Sequence, residues 1–556
     1  MKARSKLILL RRELTPAVIA VLLVSFSFGK PLGGQASAQS HTLASTLSAA
    51  ENEAAKRVTS ATVRRVTTEL SSEKMQGRGT AQAGGAIAAD YLAGEFSKLK
   101  LKPLGDGGTY LQSVKFKITD VLPESSVKVG DRVLKLREDF AVTPPYTGDR
   151  NIKALLVFVG YGLQRDFGSD LKNKIVVLIK GPPKNENEAA WKKANSERII
   201  ITYLFRSGVA GLIITNGGTK TTPHERLAGY MTLRHVAPAD ATGAPATFPS
   251  IVYVSDAGAE KLFAGSGSGY AQAKQKVDRR EAASSVQLKE SATITVRLKN
   301  TKGTGSNVVG VLEGADPGLK EQAVVYSAHY DAFGIGADGQ IYPGAADNAL
   351  GVAEILAIAE AFQDARPRRS IIFLALTGEE YGLLGGEHWV QHPTWKIEKV
   401  AADLNFDGIG TEVYGPVKNI VGFGMEYSDL GSVLQSVVTA TGGSIIPDPM
   451  PDEKIFYRSD HYAFVKRGVP ALMLLGAPEG TAAALVARAK TWMLTDYHEP
   501  TDTVRSDWNW EGPRMLAVIG LIMGLRIADA ETMPAWLSNS PLNRPRGTNK
   551  PLPPMQ

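Results

Sequence analysis

The chain has 556 residues, 43% hydrophobic and 21% charged, with 63 Lys and Arg against 56 Asp and Glu for a net charge of +7. That length exceeds one ordinary core, so two or three domains are expected, and the absence of cysteine excludes disulfides, thiolate nucleophiles and cysteine-held zinc. Residues 1–38 supply +5 of the charge, from Lys2, Arg4, Lys6, Arg11, Arg12 and Lys30 against Glu13, and the near-neutral remainder argues against a nucleic-acid partner.

Residues 1–38 are laid out as an export signal: a basic head, an apolar run at 17–28, and small residues ending at Ala38. The run is shorter than the roughly 20 residues that span a bilayer. Cleavage and delivery to the periplasm or exterior, with no stable membrane span, is the expectation, and an uncleaved anchor the alternative. Residues 39–145 contain two helical patterns, around 59–72 and 82–98, separated by the Gly-rich "KMQGRGTAQAGG". Residues 146–268 change to short β-rich runs without a cluster of His, Asp and Glu, which reads as a separate module. The charged stretch 269–290 reads as a linker or surface helix. Residues 291–532 alternate strands such as "AVVYSAHY", "SIIFLAL" and "VAADLNFDG" with helices such as "NALGVAEILAIAEAFQ". That is the pattern of an α/β fold with a mixed, mostly parallel sheet flanked by helices. The Pro-rich tail 533–556 reads as disordered.

In open α/β sheets, ligands bind beyond the carboxyl ends of the strands. Five such places in this chain carry metal-type side chains: His329 and Asp331, Asp347, Glu379 with Glu380, Asp407, and His498. Each alone has an ordinary explanation, as a loop cap, a helix N-cap, a dipole partner or a turn. Together they form a nitrogen and oxygen donor set suited to Zn²⁺, and crowded carboxylates suit a pair of ions sharing one bridge. Asp347 is the natural bridge, with His329 and Asp407 on one ion and Glu380 and His498 on the other. Asp331 is placed to accept the second N–H of His329 and fix its tautomer. Glu379, not needed as a ligand, is left to move the proton of the attacking water. Tyr457 and Arg458 fit either a substrate-pocket wall or a solvated loop, and His461 reads as support for the wall of the site.

The motifs "HYD", "GAADNALGVAEIL", "RSIIFLALTGEEYGLLGGEHW", "LNFDGIG", "RSDHYAF", "GVPALML" and "YHEPTDT" together resemble peptidase family M28, the co-catalytic zinc aminopeptidases, over residues 300–530 and in the family's order. The resemblance implies a phosphorylase/hydrolase-like fold and the ligand assignment above, with two Zn²⁺ per chain. It also implies that Tyr497 helps to polarise the scissile carbonyl, as in some members. "LKNKIVVLIKGPP" and "GVAGLIITNGG" are similar to an inserted protease-associated (PA) domain, whose expected role is to lid the cleft against long substrates. The expected substrate is a peptide with a free N-terminus. A carboxypeptidase or amidase on the same scaffold, and a catalytically inactive binding or receptor homologue, remain as alternatives.

Overall fold

The computed structural model describes residues 44–552 except 143–147, 164–169, 184–185, 216–223, 232–233, 242–248, 280–285, 337–338 and 409. The expected export signal lies outside the described residues. At the centre of a ten-stranded sheet, four strands run parallel in the order Ala471–Pro478, Val400–Phe406, Ala323–His329, Ser370–Leu376. Every residue of the last three is buried, because a strand covered by helices on both sides needs apolar side chains in both directions. Val324, Tyr326 and Ala328 share a core with the helices Leu350–Phe362 and Glu511–Asp529. Their alternates Ala323 and Val325 share the opposite core with Trp389 and Phe464, from the shorter helices Leu384–Gln391 and His461–Lys466. The parallel arrangement delivers all four carboxyl ends to one rim. Toward the margins the pairing turns antiparallel, at Val417–Phe423 on one side and Leu298–Leu312 on the other.

Leu298–Leu312 pairs antiparallel with Leu111–Val121, in register from Val308↔Leu111 to Leu298↔Val121. Residues 122–297 therefore emerge as the loop of a β-hairpin, and they build a second, eight-stranded sheet with its own apolar core. This sheet takes Ser126–Val129, Arg132–Leu134 and Phe140–Val142 from before residue 146 and Val286–Val296 from after residue 268, so it is wider than the module expected from sequence. Strands of three or four residues carry too little periodicity to be seen in advance. Of the two readings of 269–290, its described first part takes the helical one. It holds the helix Tyr270–Asp278, whose buried Tyr270 places its Oη 2.6 Å from Thr215 Oγ1 of the second sheet. One segment returns to the large sheet: His235–Pro238 pairs with Leu111–Val121, and Arg234 Nε meets Asp120 Oδ1 at 2.9 Å.

The tail also departs from the expected disorder. Through residue 552 it lies against the large-sheet unit, with Leu542 fully buried, Trp536 Nε1 donating to Gly468 O at 3.0 Å, and Arg546 Nε donating to Val400 O at 2.9 Å. A few anchoring side chains suffice to order a Pro-rich segment, and composition alone does not reveal them. No helix among the described residues is long and apolar enough to cross a membrane.

Candidate metal centre

His329 is the last residue of its strand, so its imidazole projects past the rim. Its Nε2 lies 3.3 Å from Asp347 Oδ1, 3.3 Å from Asp407 Oδ1 and 3.8 Å from Glu379 Oε2. His498 Nε2 lies 3.4 Å from the other Asp347 oxygen and 3.0 Å from Glu380 Oε2. Asp347 thus presents one oxygen to each imidazole. Two groups of donors are each close enough together to hold a cation, His329–Asp347–Asp407 and Asp347–Glu380–His498, and they share Asp347. His461, His388 and His392 belong to neither group.

The backbone makes this convergence possible. Asp502 accepts the N–H groups of Ala346 at 2.9 Å and Asp347 at 3.0 Å. Asn348 accepts from Gly351 N at 3.0 Å and donates to Phe406 O at 2.8 Å. Asn348 therefore caps the helix start and ties it to the Asp407 strand, which leaves the Asp347 carboxylate free to face the imidazoles. Gly378 sits at φ +74°, turning the chain so that Glu379 and Glu380 follow the strand end at once. Asp331 departs partly from its expected role. His329 Nδ1 is 3.2 Å from the Asp331 backbone carbonyl and 3.7 Å from its carboxylate. That carboxylate instead accepts from Thr80 Oγ1 at 2.7 Å and Glu379 N at 3.1 Å. A carbonyl thus stands nearest to His329 Nδ1, while the Asp331 side chain also holds the Glu379 turn.

Electrostatics dominate the site. Burial pushes Glu380 up to about 7 and Glu379 well above the usual carboxylate range. Burial opposes a charge on His498, yet Glu380 and Asp347 outweigh it and raise the imidazole to about 9. His329 is raised in the same way, by Glu379 and Asp407 against its burial. Asp347 is lowered by its two imidazole partners despite burial. Negative charge is in excess and desolvated, and it draws protons onto whatever can take them, as expected where divalent cations belong. The donor set of imidazole nitrogens and carboxylate oxygens fits zinc.

Sequence reasoning missed two groups. Arg78, fully buried behind the site, donates to the carbonyls of Leu70, Tyr330, Pro343 and Gly344. Its pKa drops to about 10 through desolvation, opposed by Asp502, Asp331 and Asp347. Asp502 is the other, and its place four residues after His498 in "YHEPTDT" was the available signal. Arg78 had only its glycine-flanked position in "QGRG".

A cleft opens over Asp347, Glu379 and Asp407, walled by Met450, Met473 and Trp492 and bordered by Arg458 and Tyr497. Arg458 occupies the pocket wall, one of its two expected places. Tyr457 does not line this cleft, because its ring packs 5.2 Å from both Phe456 and Tyr462. Tyr497 stacks on His498 with centroids 3.5 Å apart, and its Oη lies 3.4 Å from Arg458 Nη2. His461 does not line the cleft either: it is buried beside Phe456, and burial pulls it down to about 3, so its imidazole is neutral.

Residues 307–519 match the family model for peptidase family M28. The chain is similar to aminopeptidase YwaD of Bacillus subtilis (strain 168), 24% identical over 327 residues that cover 58% of this chain and 56% of that protein. It thus spans little more than half the length of that curated relative. Two solved structures share the fold. The aminopeptidase from Aneurinibacillus sp. strain AM-1 superimposes with a TM-score of 0.55 at 19% identity, over 86% of this chain and 96% of that one. BSAP, a zinc aminopeptidase from Bacillus subtilis, gives a TM-score of 0.52 at 19% identity, over 84% and 94%.

Proposed function

We propose that the chain is a member of peptidase family M28, whose model matches residues 307–519, and that it is an exported aminopeptidase that holds two zinc ions and hydrolyses the N-terminal bond of peptides. The observation that carries this reading is Asp347, with one oxygen 3.3 Å from His329 Nε2 and the other 3.4 Å from His498 Nε2. His329, Asp407 and Asp347 would hold one ion, and Glu380, His498 and the same Asp347 the other. When bound, the ions polarise the scissile carbonyl and lower the pKa of the attacking water.

The chain's own groups do the rest. Glu379 lines the cleft beside the bridge and takes the water's proton, then returns it to the leaving amine. Burial, and after it the charges of Asp407, Glu380 and Asp460, raise this carboxyl well above the usual carboxylate range, and cationic neighbours favour the ionised form that a base requires. Tyr497, fixed by its stack on His498 and its contact with Arg458, is positioned to donate its hydroxyl to the carbonyl oxygen. The leader-like sequence of residues 1–38 supports export. The wide second sheet is read as the protease-associated module, restricting long substrates.

The test is turnover of matched aminoacyl and peptide substrates, free and N-blocked, short and long, with and without chelator. Cleavage of free, short substrates that chelator abolishes and zinc restores is the expected outcome. Hydrolysis indifferent to N-blocking, or dependent on a free carboxyl terminus, would replace this reading with an amidase or carboxypeptidase. No turnover together with no zinc would point to a binding protein.

A further inference from the structure

The excursion that returns from the second sheet to the large one also reaches the metal centre. Arg226, on the helix His224–Met231, sends its guanidinium into the loop that carries Tyr497 and His498. Its Nη2 donates to Met493 O at 2.8 Å and Tyr497 O at 2.6 Å, its Nη1 donates to Leu494 O, and its Nε meets Glu499 Oε1 at 2.6 Å. Met493 and Leu494 belong to the last turn of the helix Ala482–Thr495. Carbonyls there have no partner within the helix and carry the negative end of its dipole. Three residues past that helix stands His498, at φ +61°, a backbone conformation that non-glycine residues avoid. A strained residue persists only where its surroundings hold it. Here one planar fork of N–H donors grips the chain on both sides of it, which the single ammonium of lysine cannot reproduce.

We propose that Arg226 is a positioning residue for the second half of the metal centre. It fixes the Tyr497–His498 segment so that His498 Nε2 meets Asp347 and Glu380, and thereby couples the inserted excursion to one ion site and not the other. The proposal rests on the two-ion reading above. His329 and Asp407, which complete the first donor group, come from strand ends that Arg226 does not touch.

The experiment titrates Zn²⁺ calorimetrically into metal-free, full-length wild type, Arg226→Ala, Arg226→Lys and His498→Ala, and follows backbone amide exchange across 493–499 in each. His498→Ala identifies the signal of the second ion. In Arg226→Ala that ion is expected to bind about 10–100-fold more weakly, as for other groups that orient a ligand. The first ion keeps its wild-type affinity, and exchange accelerates at 493–499 while the central strands stay protected. Arg226→Lys falls between. Wild-type affinity for both ions with unchanged exchange overturns the proposal. So does equal weakening of both ions with exchange rising throughout the sheet, the mark of general destabilisation. If wild type itself takes up fewer than two ions, the two-ion reading fails, and local exchange at 493–499 alone decides whether Arg226 holds the loop.

Discussion

Glu379 and Glu380 are neighbours in the chain but face different partners. Glu380 lies 3.0 Å from His498 Nε2, whereas Glu379 borders the open cleft, 3.8 Å from His329 Nε2. On the proposed two-ion reading, Glu379→Gln is therefore expected to keep its zinc by metal analysis and to lose about 10²–10⁴-fold in kcat. Glu380→Gln is expected to lose an ion. A metal-loaded Glu379→Gln enzyme with full turnover would remove Glu379 from proton transfer. At this scale the two donor groups were legible because metal chemistry restricts residue types and strand ends restrict their places. Arg78 and Arg226 were not legible, because both act on backbone carbonyls, which every residue possesses, and nothing in the spacing of an isolated arginine announces such partners. Tyr457 parts from Arg458 because adjacent residues on a tight turn point in different directions.

Among the elements, the helix Glu511–Asp529 packs directly on the strand Ala323–His329. Tyr326 donates its hydroxyl to Gly520 O at 2.9 Å and stacks on Phe373 with centroids 5.4 Å apart. A Cβ on Gly524 would stand 1.7 Å from Tyr326 Oη, so this helix can seat on the sheet only with glycine there. Gly524→Ala is expected to destabilise by about 1–3 kcal/mol in urea unfolding, the cost of overpacking a core. Tyr326→Phe in the same chain should recover part of the loss, and additive effects of the two changes would show that they are not in contact. The central strands were readable as unbroken apolar runs and the helices as 3.6-residue patterns. The antiparallel margins and the short strands of the second sheet were hidden, because pairing partners far apart in sequence leave no local trace.

Over the whole molecule, stability should depend on buried acids outside the metal centre. Burial pushes Glu412 up to about 7 from 4.5 in the unfolded chain, and Glu354 is held well above the usual carboxylate range, by burial and then by the Glu412 charge. A carboxyl whose folded pKa is raised stabilises fully below its unfolded value, and that contribution is lost as pH climbs through the folded value. Between about pH 4.5 and pH 8 wild type should lose up to about 3 kcal/mol relative to Glu412→Gln, since each tenfold change in proton affinity is worth about 1.4 kcal/mol. Urea denaturation of both proteins at about pH 5 and about pH 8 measures it, and parallel pH profiles would contradict it. The two-sheet organisation was legible as a change of texture along the chain, but its boundaries were not. They are set by the hairpin Leu111–Val121 with Leu298–Leu312, whose two paired strands precede and follow the whole second sheet in the sequence.

That hairpin also imposes an order on synthesis. Leu111–Val121 leaves the ribosome with its long-strand partner still 176 residues away, residues 122–297, a delay of about 9–35 s at roughly 5–20 residues per second. Throughout that interval it is a nascent strand with an unpaired edge, the form in which chains cross-pair with their neighbours. Its exposed positions carry Ser113 and Lys115, followed by the half-covered Lys117, and the repulsion between like charges discourages a second nascent chain from docking there.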